Sequence, residues 1–300
     1  MEKNGGCPTR ETGQRSTSPA DPLQETRVFW NAHPCDGQAG YDSRFRFRFD
    51  KESWLLPRLE ELSRRGYRRF LEVGCGQGTD TLTLCRMLPP GSRYVGVDLS
   101  EVSLQEARSA AASVADRLRV IPEFFQENAE SLSFADGSFD CVYSMGVLHH
   151  TPETGKAVNE VLRVLEPGGL ACIILYRRWS PKLLVAHALR LFQAGLDRFL
   201  GTKRILLRLV DNRLGEVLLG TMLKECFGVP VLRSYTGKEI DILFAGFSRV
   251  RKTPYGWGLP ALGLGSRLGL GATRLGYFWY VEAAKGGRSI SRERMARVAA

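Results

Sequence analysis

Phe70-Leu71-Glu72-Val73-Gly74-Cys75-Gly76-Gln77-Gly78-Thr79-Asp80 decides how this chain is read. A short apolar run enters three glycines at alternate positions, and a segment compatible with a helix follows. This pattern fits a buried strand that turns sharply and lets its backbone approach a ligand, where any side chain would obstruct and positive φ is needed. Asp98 stands twenty residues past Gly78, at the end of the next apolar run. Together these features read as a nucleotide-type cofactor site.

The dinucleotide fingerprint G-x-G-x-x-G places its third glycine one residue later. Here that glycine is Gly78, and Thr79 fills the expected place. Gly74-x-Gly76-x-Gly78 preceded by Glu72 resembles motif I of class I S-adenosylmethionine-dependent methyltransferases, in the type 11 or UbiE-like small-molecule branch. Later segments match that resemblance in order. Tyr94-Val95-Gly96-Val97-Asp98-Leu99-Ser100 is a second strand ending in a carboxylate, with Ser100 as N-cap of a helix from Glu101 to about Ala115. A third strand is expected over about Leu118 to Phe125. Cys141-Val142-Tyr143-Ser144 reads as the fourth, and Met145-Gly146-Val147-Leu148-His149-His150 leaves the sheet after it. Glu153 to Leu165 has helical spacing, Glu166-Pro167-Gly168-Gly169 stops that helix, and Leu170 to Tyr176 makes the fifth strand. Lys238 to Ala245 reads as a further helix, Phe247 to Lys252 as a sixth strand and Leu275 to Lys285 as a seventh.

Alternating strands and helices argue for an α/β doubly wound sheet. The resemblance implies a Rossmann-like seven-stranded sheet whose last strand inserts antiparallel between the fifth and sixth, with an N-terminal helical cap and a helical insertion after the fifth strand. The layout expected is a disordered tail over 1–27, a cap over 28–67, a cofactor-binding core over 68–176, an insertion or lid over 177–235, the end of the core over 236–285 and a basic tail over 286–300.

The resemblance also implies S-adenosylmethionine (SAM) as methyl donor. It assigns the cofactor to Glu72, Gly74, Cys75, Gly76, Gly78, Thr79, Asp98, Leu99, Asn128, Ala129 and Met145. Asp98 corresponds to the carboxylate that holds the ribose hydroxyls. Asn128 replaces an acidic residue that contacts the adenine amino group, and its amide carbonyl is able to accept from that group. Phe29-Trp30-Asn31-Ala32-His33-Pro34-Cys35 resembles a segment that precedes motif I in bacterial small-molecule enzymes of this kind. Trp30 and His33 are therefore either pocket residues or packing anchors of the cap. Tyr176 is a third pocket candidate. His149 and His150 are the candidates for a base, His150 slightly ahead, since histidine titrates near neutrality; the alternative is that the pair only caps the strand. Methyl transfer otherwise asks for alignment in a dry pocket.

The 300 residues carry a net charge of +10. Between Arg177 and Pro230 ten basic residues face four acidic ones. Lys182 to Leu200 and Arg204 to Phe227 both look helical and leucine-rich, which suits a lid over the acceptor, a structural cap, or peripheral contact with anionic lipid. Arg44-Phe45-Arg46-Phe47-Arg48-Phe49 alternates strictly. It reads as one edge segment with phenylalanines in and arginines out, against a nucleic-acid-binding alternative. Seven scattered cysteines without metal-like pairing fit reduced buried thiols, hence a cytoplasmic setting and no metal. Met1 to about Glu25 lacks the apolar core of a signal peptide, and no apolar run is long enough to span a bilayer.

The acceptor expected is a small, lipophilic or aromatic metabolite; nothing in the sequence sets an oligomeric state. The positive charge motivates an RNA methyltransferase as the alternative. Against it, Ser144-Met145-Gly146-Val147 stands where base-amino enzymes carry Asp/Asn-Pro-Pro-aromatic. The nucleophilic cysteine of cytosine-C5 enzymes is missing there, as are the paired glutamates of protein-arginine enzymes. A non-catalytic binding protein on the same fold is the third reading, and the intact motif I and Asp98 argue against it.

Overall fold

A computed structural model describes residues 21–34, 40–202, 228–256 and 275–287. The seven strands are β1 (Arg69–Val73), β2 (Arg93–Asp98), β3 (Glu123–Gln126), β4 (Phe139–Met145), β5 (Leu165–Tyr176), β6 (Arg249–Tyr255) and β7 (Phe278–Ala284). They form one sheet in the order β3-β2-β1-β4-β5-β7-β6. β7 runs antiparallel to both neighbours, and the other pairs are parallel. This is the doubly wound arrangement anticipated from the alternation of elements.

Side chains alternate across the sheet with period two and feed two cores. Phe70, Cys141, Tyr143, Cys172 and Ile174 enter one, with Leu55, Leu59, Leu62 and Leu84 from covering helices. Leu71, Val73, Val142, Ala171 and Ile173 enter the other, with Ala157, Val158 and Val161. The covering helices include α3 (Leu55–Ser63), α4 (Thr79–Met87), α5 (Glu101–Ser113) and α6 (Thr154–Val164). Burial of both faces explains why β1, β4 and β5 read as continuous apolar runs rather than alternating ones. The chain order reverses between β1 and β4. There the helices leave opposite faces, and a crevice opens beyond the carboxyl ends of the strands.

Ser100 caps α5, its hydroxyl accepting the Ser103 N–H at 3.2 Å. The helix α7 (Pro181–Leu200) begins at the Ser180 cap and ends at Gly201, which is left-handed. The helix α8 (Gly237–Leu243) opens with a reciprocal box between Thr236 and Glu239. The second insertion helix expected over Arg204 to Phe227 lies outside the described residues, as do most of both terminal tails. No described helix is long and apolar enough to cross a membrane.

Several expectations are corrected. Arg44 to Phe49 is not an edge segment: it lies in helix α2 (Tyr41–Lys51), after α1 (Pro22–Ala32). In a helix, Tyr41, Phe45 and Phe49 fall on one face, and their rings contact in series. Arg44 is buried and Arg48 pairs with Asp80, so this stretch presents no ladder of arginines to a nucleic acid. β3 starts at Glu123 rather than Leu118, because residues 115–117 form a single tight turn whose exit still belongs to the connection. β5 begins at Leu165, so Glu166 to Gly169 continue the strand instead of forming a separate stop. β6 is shifted to Arg249–Tyr255 by its pairing with β7.

Candidate active site

The glycine turn is built by hydrogen bonds. Gly74 and Cys75 both donate their N–H to the Val97 carbonyl, at 2.7 and 2.9 Å, which pins the turn to the end of β2. Gly78 N–H closes onto Cys75 O at 2.9 Å and Gly78 then caps α4. All three glycines have positive φ, at +78, +52 and +78°. Their surroundings differ. A Cβ on Gly74 would lie 2.2 Å from Val147, and one on Gly78 3.1 Å from Ala107; one on Gly76 would meet nothing within 4 Å. Gly76 therefore opens onto space that the protein leaves clear.

That space is a cleft at the switch between β1 and β4. Of the residues expected from sequence, Trp30, Glu72, Gly74, Cys75, Gly76, Thr79, Asp98, Leu99, Asn128, Ala129, Met145 and His150 border it. Gly78, His33, His149 and Tyr176 do not. Gly78 serves the helix start. His33 closes α1, its ring 4.7 Å from Phe29 and its Nδ1 3.0 Å from the Phe29 carbonyl. Tyr176 stacks on Phe278 at 5.2 Å inside the core. His149 is fully buried with its ring 4.0 Å from that of Tyr176, and neither ring nitrogen has a hydrogen-bond partner among the described residues. Burial, with His150 and Lys182 nearby, holds its pKa well below the usual histidine value.

Asp98 stands at the adenosine end expected from the motif. Its Oδ2 accepts the Gly76 N–H and its Oδ1 the Ser100 N–H, each at 2.8 Å. A carboxylate has about four acceptor positions, so each oxygen retains capacity toward the cleft. Burial raises the Asp98 pKa, against the lowering by these backbone donors. Asn128 accepts the Glu130 N–H at 3.0 Å through Oδ1. The amide carbonyl assigned to an adenine contact is thus already engaged in a local turn, and the Asn128 amide N–H₂ is the group with spare capacity.

The opposite end is polar and buried. Glu72 Oε2 accepts the hydroxyls of Tyr94 at 2.7 Å and Thr81 at 2.5 Å. Burial, then the neighbouring Asp80, pushes the Glu72 pKa up to about 8. Asp80 accepts Tyr143 O–H at 2.7 Å and two N–H groups of Arg48 at 2.9 and 3.3 Å. Gln77 Oε1 and Thr79 Oγ1 are buried beside the cleft with no hydrogen-bond partner among the described residues. Buried polar atoms are seldom left so, and these two mark where a ligand's polar groups fit. The cleared position at Gly76 and the two-oxygen acceptor at Asp98 complete a surface complementary to an adenosyl amino acid.

The third wall carries Trp30, Met145 and His150, with Leu23 and Thr26 of α1. The His150 ring lies edge-on to Trp30 at 5.5 Å, and its Nδ1 is 2.8 Å from the Val231 carbonyl. Arg48, Gln77, Asp80, Glu127, Leu23 and Thr26 also border the cleft and were not singled out from sequence. Arg48 and Asp80 are 32 positions apart, and only the fold joins them. The Tyr41, Phe45, Phe49 spacing was the available signal for the helix that carries Arg48.

Comparison with known proteins agrees with this geometry. A family model described as a methyltransferase domain matches residues 71–173. A demethylmenaquinone methyltransferase of Lactococcus lactis is 33% identical over 149 residues, covering 49% of this chain and 57% of that protein. A phthiotriol/phenolphthiotriol dimycocerosates methyltransferase of Mycobacterium ulcerans is 36% identical over 122 residues, covering 40% of this chain and 41% of that one. The chain thus spans about half the length of these curated relatives. A solved SAM-dependent methyltransferase of Thermotoga maritima, described as a possible histamine N-methyltransferase, shares the fold at a TM-score of 0.52 and 17% identity, over 88% of this chain and 100% of that one. Glycine turn, strand-end carboxylate and sheet order converge with the family match: across residues 71–173 the chain matches a methyltransferase domain.

Proposed function

We propose that this chain transfers the methyl group of SAM to a small lipophilic or aromatic acceptor whose nucleophile is a hydroxyl. The observation that carries this reading is one continuous cleft. Gly76 and Asp98 border it on one side, and Trp30, Met145 and His150 on another. The relatives named above act on demethylmenaquinone and on phthiotriol or phenolphthiotriol dimycocerosates, which supports an apolar acceptor here.

Bound in the cleft, the sulfonium supplies an activated methyl group together with its own leaving group. The protein does the rest. Asp98 would hold the two ribose hydroxyls, its carboxylate kept fixed by the Gly76 and Ser100 N–H groups. Glu72 offers a carboxylate to the ammonium end, and Gln77 and Thr79 supply their unused oxygens beside it. Trp30, Leu23 and Thr26 of α1 cover the cleft and keep water from the reacting centre. A carbonyl only accepts, so the contact with Val231 places the proton of neutral His150 on Nδ1. The lone pair then lies on Nε2. That nitrogen takes the acceptor's hydroxyl proton as the oxygen gains the methyl group.

In this reading the described residues 28–34 and 40–67 belong to the cap, 68–176, 236–256 and 275–285 to the core, and 177–202 with 228–235 to the lid. The buried free thiols of Cys75, Cys85, Cys141 and Cys172 suit a reducing compartment such as the cytoplasm. The test is transfer of labelled methyl from SAM to a panel of lipophilic phenols and quinols, with hydrophilic amines and RNA alongside. Labelling of the phenolic set supports the reading. Labelling confined to amines or RNA contradicts it.

A further inference from the structure

Helix α7 buries Lys182, Leu183, Ala186 and Gln193 against the protein. Its other side is apolar and carries no packing partner among the described residues. Leu184, Val185, Leu191, Phe192 and Phe199 are between 44% and 86% exposed. Positions 184, 188, 191, 195 and 199 follow one line along the helix, with 185 and 192 beside it, so the stripe fills roughly a third of the circumference over about 23 Å. Ala188 and Gly195 lie in the same line and are also exposed. No charged residue interrupts it. Trp179, 65% exposed, stands just before the helix.

We propose that this face docks on the headgroup layer of an anionic phospholipid bilayer. Charge selects this occupant. Arg198 is exposed at the edge of the stripe, Arg177 and Arg178 precede the helix, the latter paired with Glu239 at 2.8 Å, and described residues 177–202 carry five basic side chains against one acid. Asp197 is the only acid in α7, and it accepts the Thr202 hydroxyl at 3.0 Å. A helix with one face packed on protein and the other apolar with basic flanks lies in a lipid interface and does not cross it. The partly buried ring of an exposed tryptophan suits the headgroup level.

The docked helix reaches the cleft by a short route. Both terminal nitrogens of Arg190 donate to the Val229 carbonyl at 3.1 Å. Two residues on, the Val231 carbonyl accepts from His150, and the Arg233 N–H then binds the His149 carbonyl at 2.9 Å. Seating α7 on lipid therefore sets the wall of the cleft beside the phase in which an apolar acceptor is dissolved. That delivery step rests on the methyl-transfer reading; the docking itself does not.

The test uses the full chain in flotation with vesicles of phosphatidylglycerol and phosphatidylcholine, and with pure phosphatidylcholine. Binding to the anionic vesicles is expected, weakened by salt, and lowered at least about tenfold in a Leu191→Glu, Phe192→Glu double variant. Both side chains are exposed, so the variant should bind S-adenosylhomocysteine as the parent does. No binding to anionic vesicles, or equal binding by the variant, overturns docking. A dimer in light scattering that the same substitutions dissolve also overturns it, by assigning the face to a second copy. Vesicle binding without any S-adenosylhomocysteine binding upholds docking and sinks the methyl-transfer reading alone.

Discussion

The Nδ1 atom of His150 lies 2.8 Å from the carbonyl oxygen of Val231. The contact joins the connection after β4 to the segment that follows the insertion, 81 positions away. It fixes the tautomer that leaves Nε2 as the basic nitrogen. Replacing His150 with Ala should lower kcat by about a hundredfold or more, with S-adenosylhomocysteine affinity within about threefold of the parent. Steady-state kinetics with a phenolic acceptor checks this. An unchanged kcat would remove His150 from proton transfer and leave it a wall residue.

Two glycines in one turn should respond differently. Gly74→Ala sets a methyl group 2.2 Å from Val147 at a φ of +78°, so something must shift. Its cost should be about 2–4 kcal/mol of stability, read by urea unfolding. Gly76→Ala meets only open space, at a φ of +52°. It should cost about 1 kcal/mol for the left-handed backbone and yet weaken S-adenosylhomocysteine at least about tenfold. Equal loss of folding in both variants would mean that Gly76 does not face the ligand.

Stability should depend on pH in two opposed ways. His149 is buried with its pKa held well below the ordinary value. Below about pH 6.5 the unfolded chain takes up a proton there and the folded chain does not, so folding is progressively disfavoured as pH falls, by up to about 1.4 kcal/mol per unit. Glu72 has the reverse sign. Its folded pKa is raised to about 8, so the folded chain holds a proton that the unfolded chain has released, and stability falls as pH rises from about 4.5 toward 8. Unfolding curves of His149→Phe should gain relative to the parent on the acid side, and those of Glu72→Gln on the alkaline side. Parallel curves at all pH values would contradict both burial arguments.

Glu72 carries a consequence for binding. A cationic ligand end favours the ionised carboxylate, so binding below about pH 8 should release protons. Titration calorimetry of SAM in buffers of different ionisation enthalpy measures that release. It should vanish in Glu72→Gln.

The turn from Val73 to Gly78, the Asp98 strand end and the Ser100 cap were legible because each is local: a few adjacent residues determine the backbone they adopt. The sheet order followed from the alternation of elements and the family resemblance. The α2 helix was not legible from a period of two. Arginine and phenylalanine alternate in sequence, and only the wider Tyr41, Phe45, Phe49 spacing shows the helical face. The Arg48 and Asp80 pair needed the packing of α2 on α4. His149 and His150 are neighbours in sequence, yet the tight turn over Leu148–His150 sends one ring into the core and the other to the cleft wall. No local pattern separates them. Tyr176 ends its strand where a pocket residue would, but Phe278 from the antiparallel β7 covers it.

The central claim is that Asp98 and the Gly76 turn hold the cofactor. Isothermal titration of S-adenosylhomocysteine into the parent chain and into Asp98→Ala tests it most directly. The parent should bind one equivalent. The variant, shown to be folded by its thermal transition, should bind at least about thirtyfold more weakly, the loss of two charge-assisted hydrogen bonds. No heat from the parent, or an unchanged affinity in the folded variant, would contradict the account.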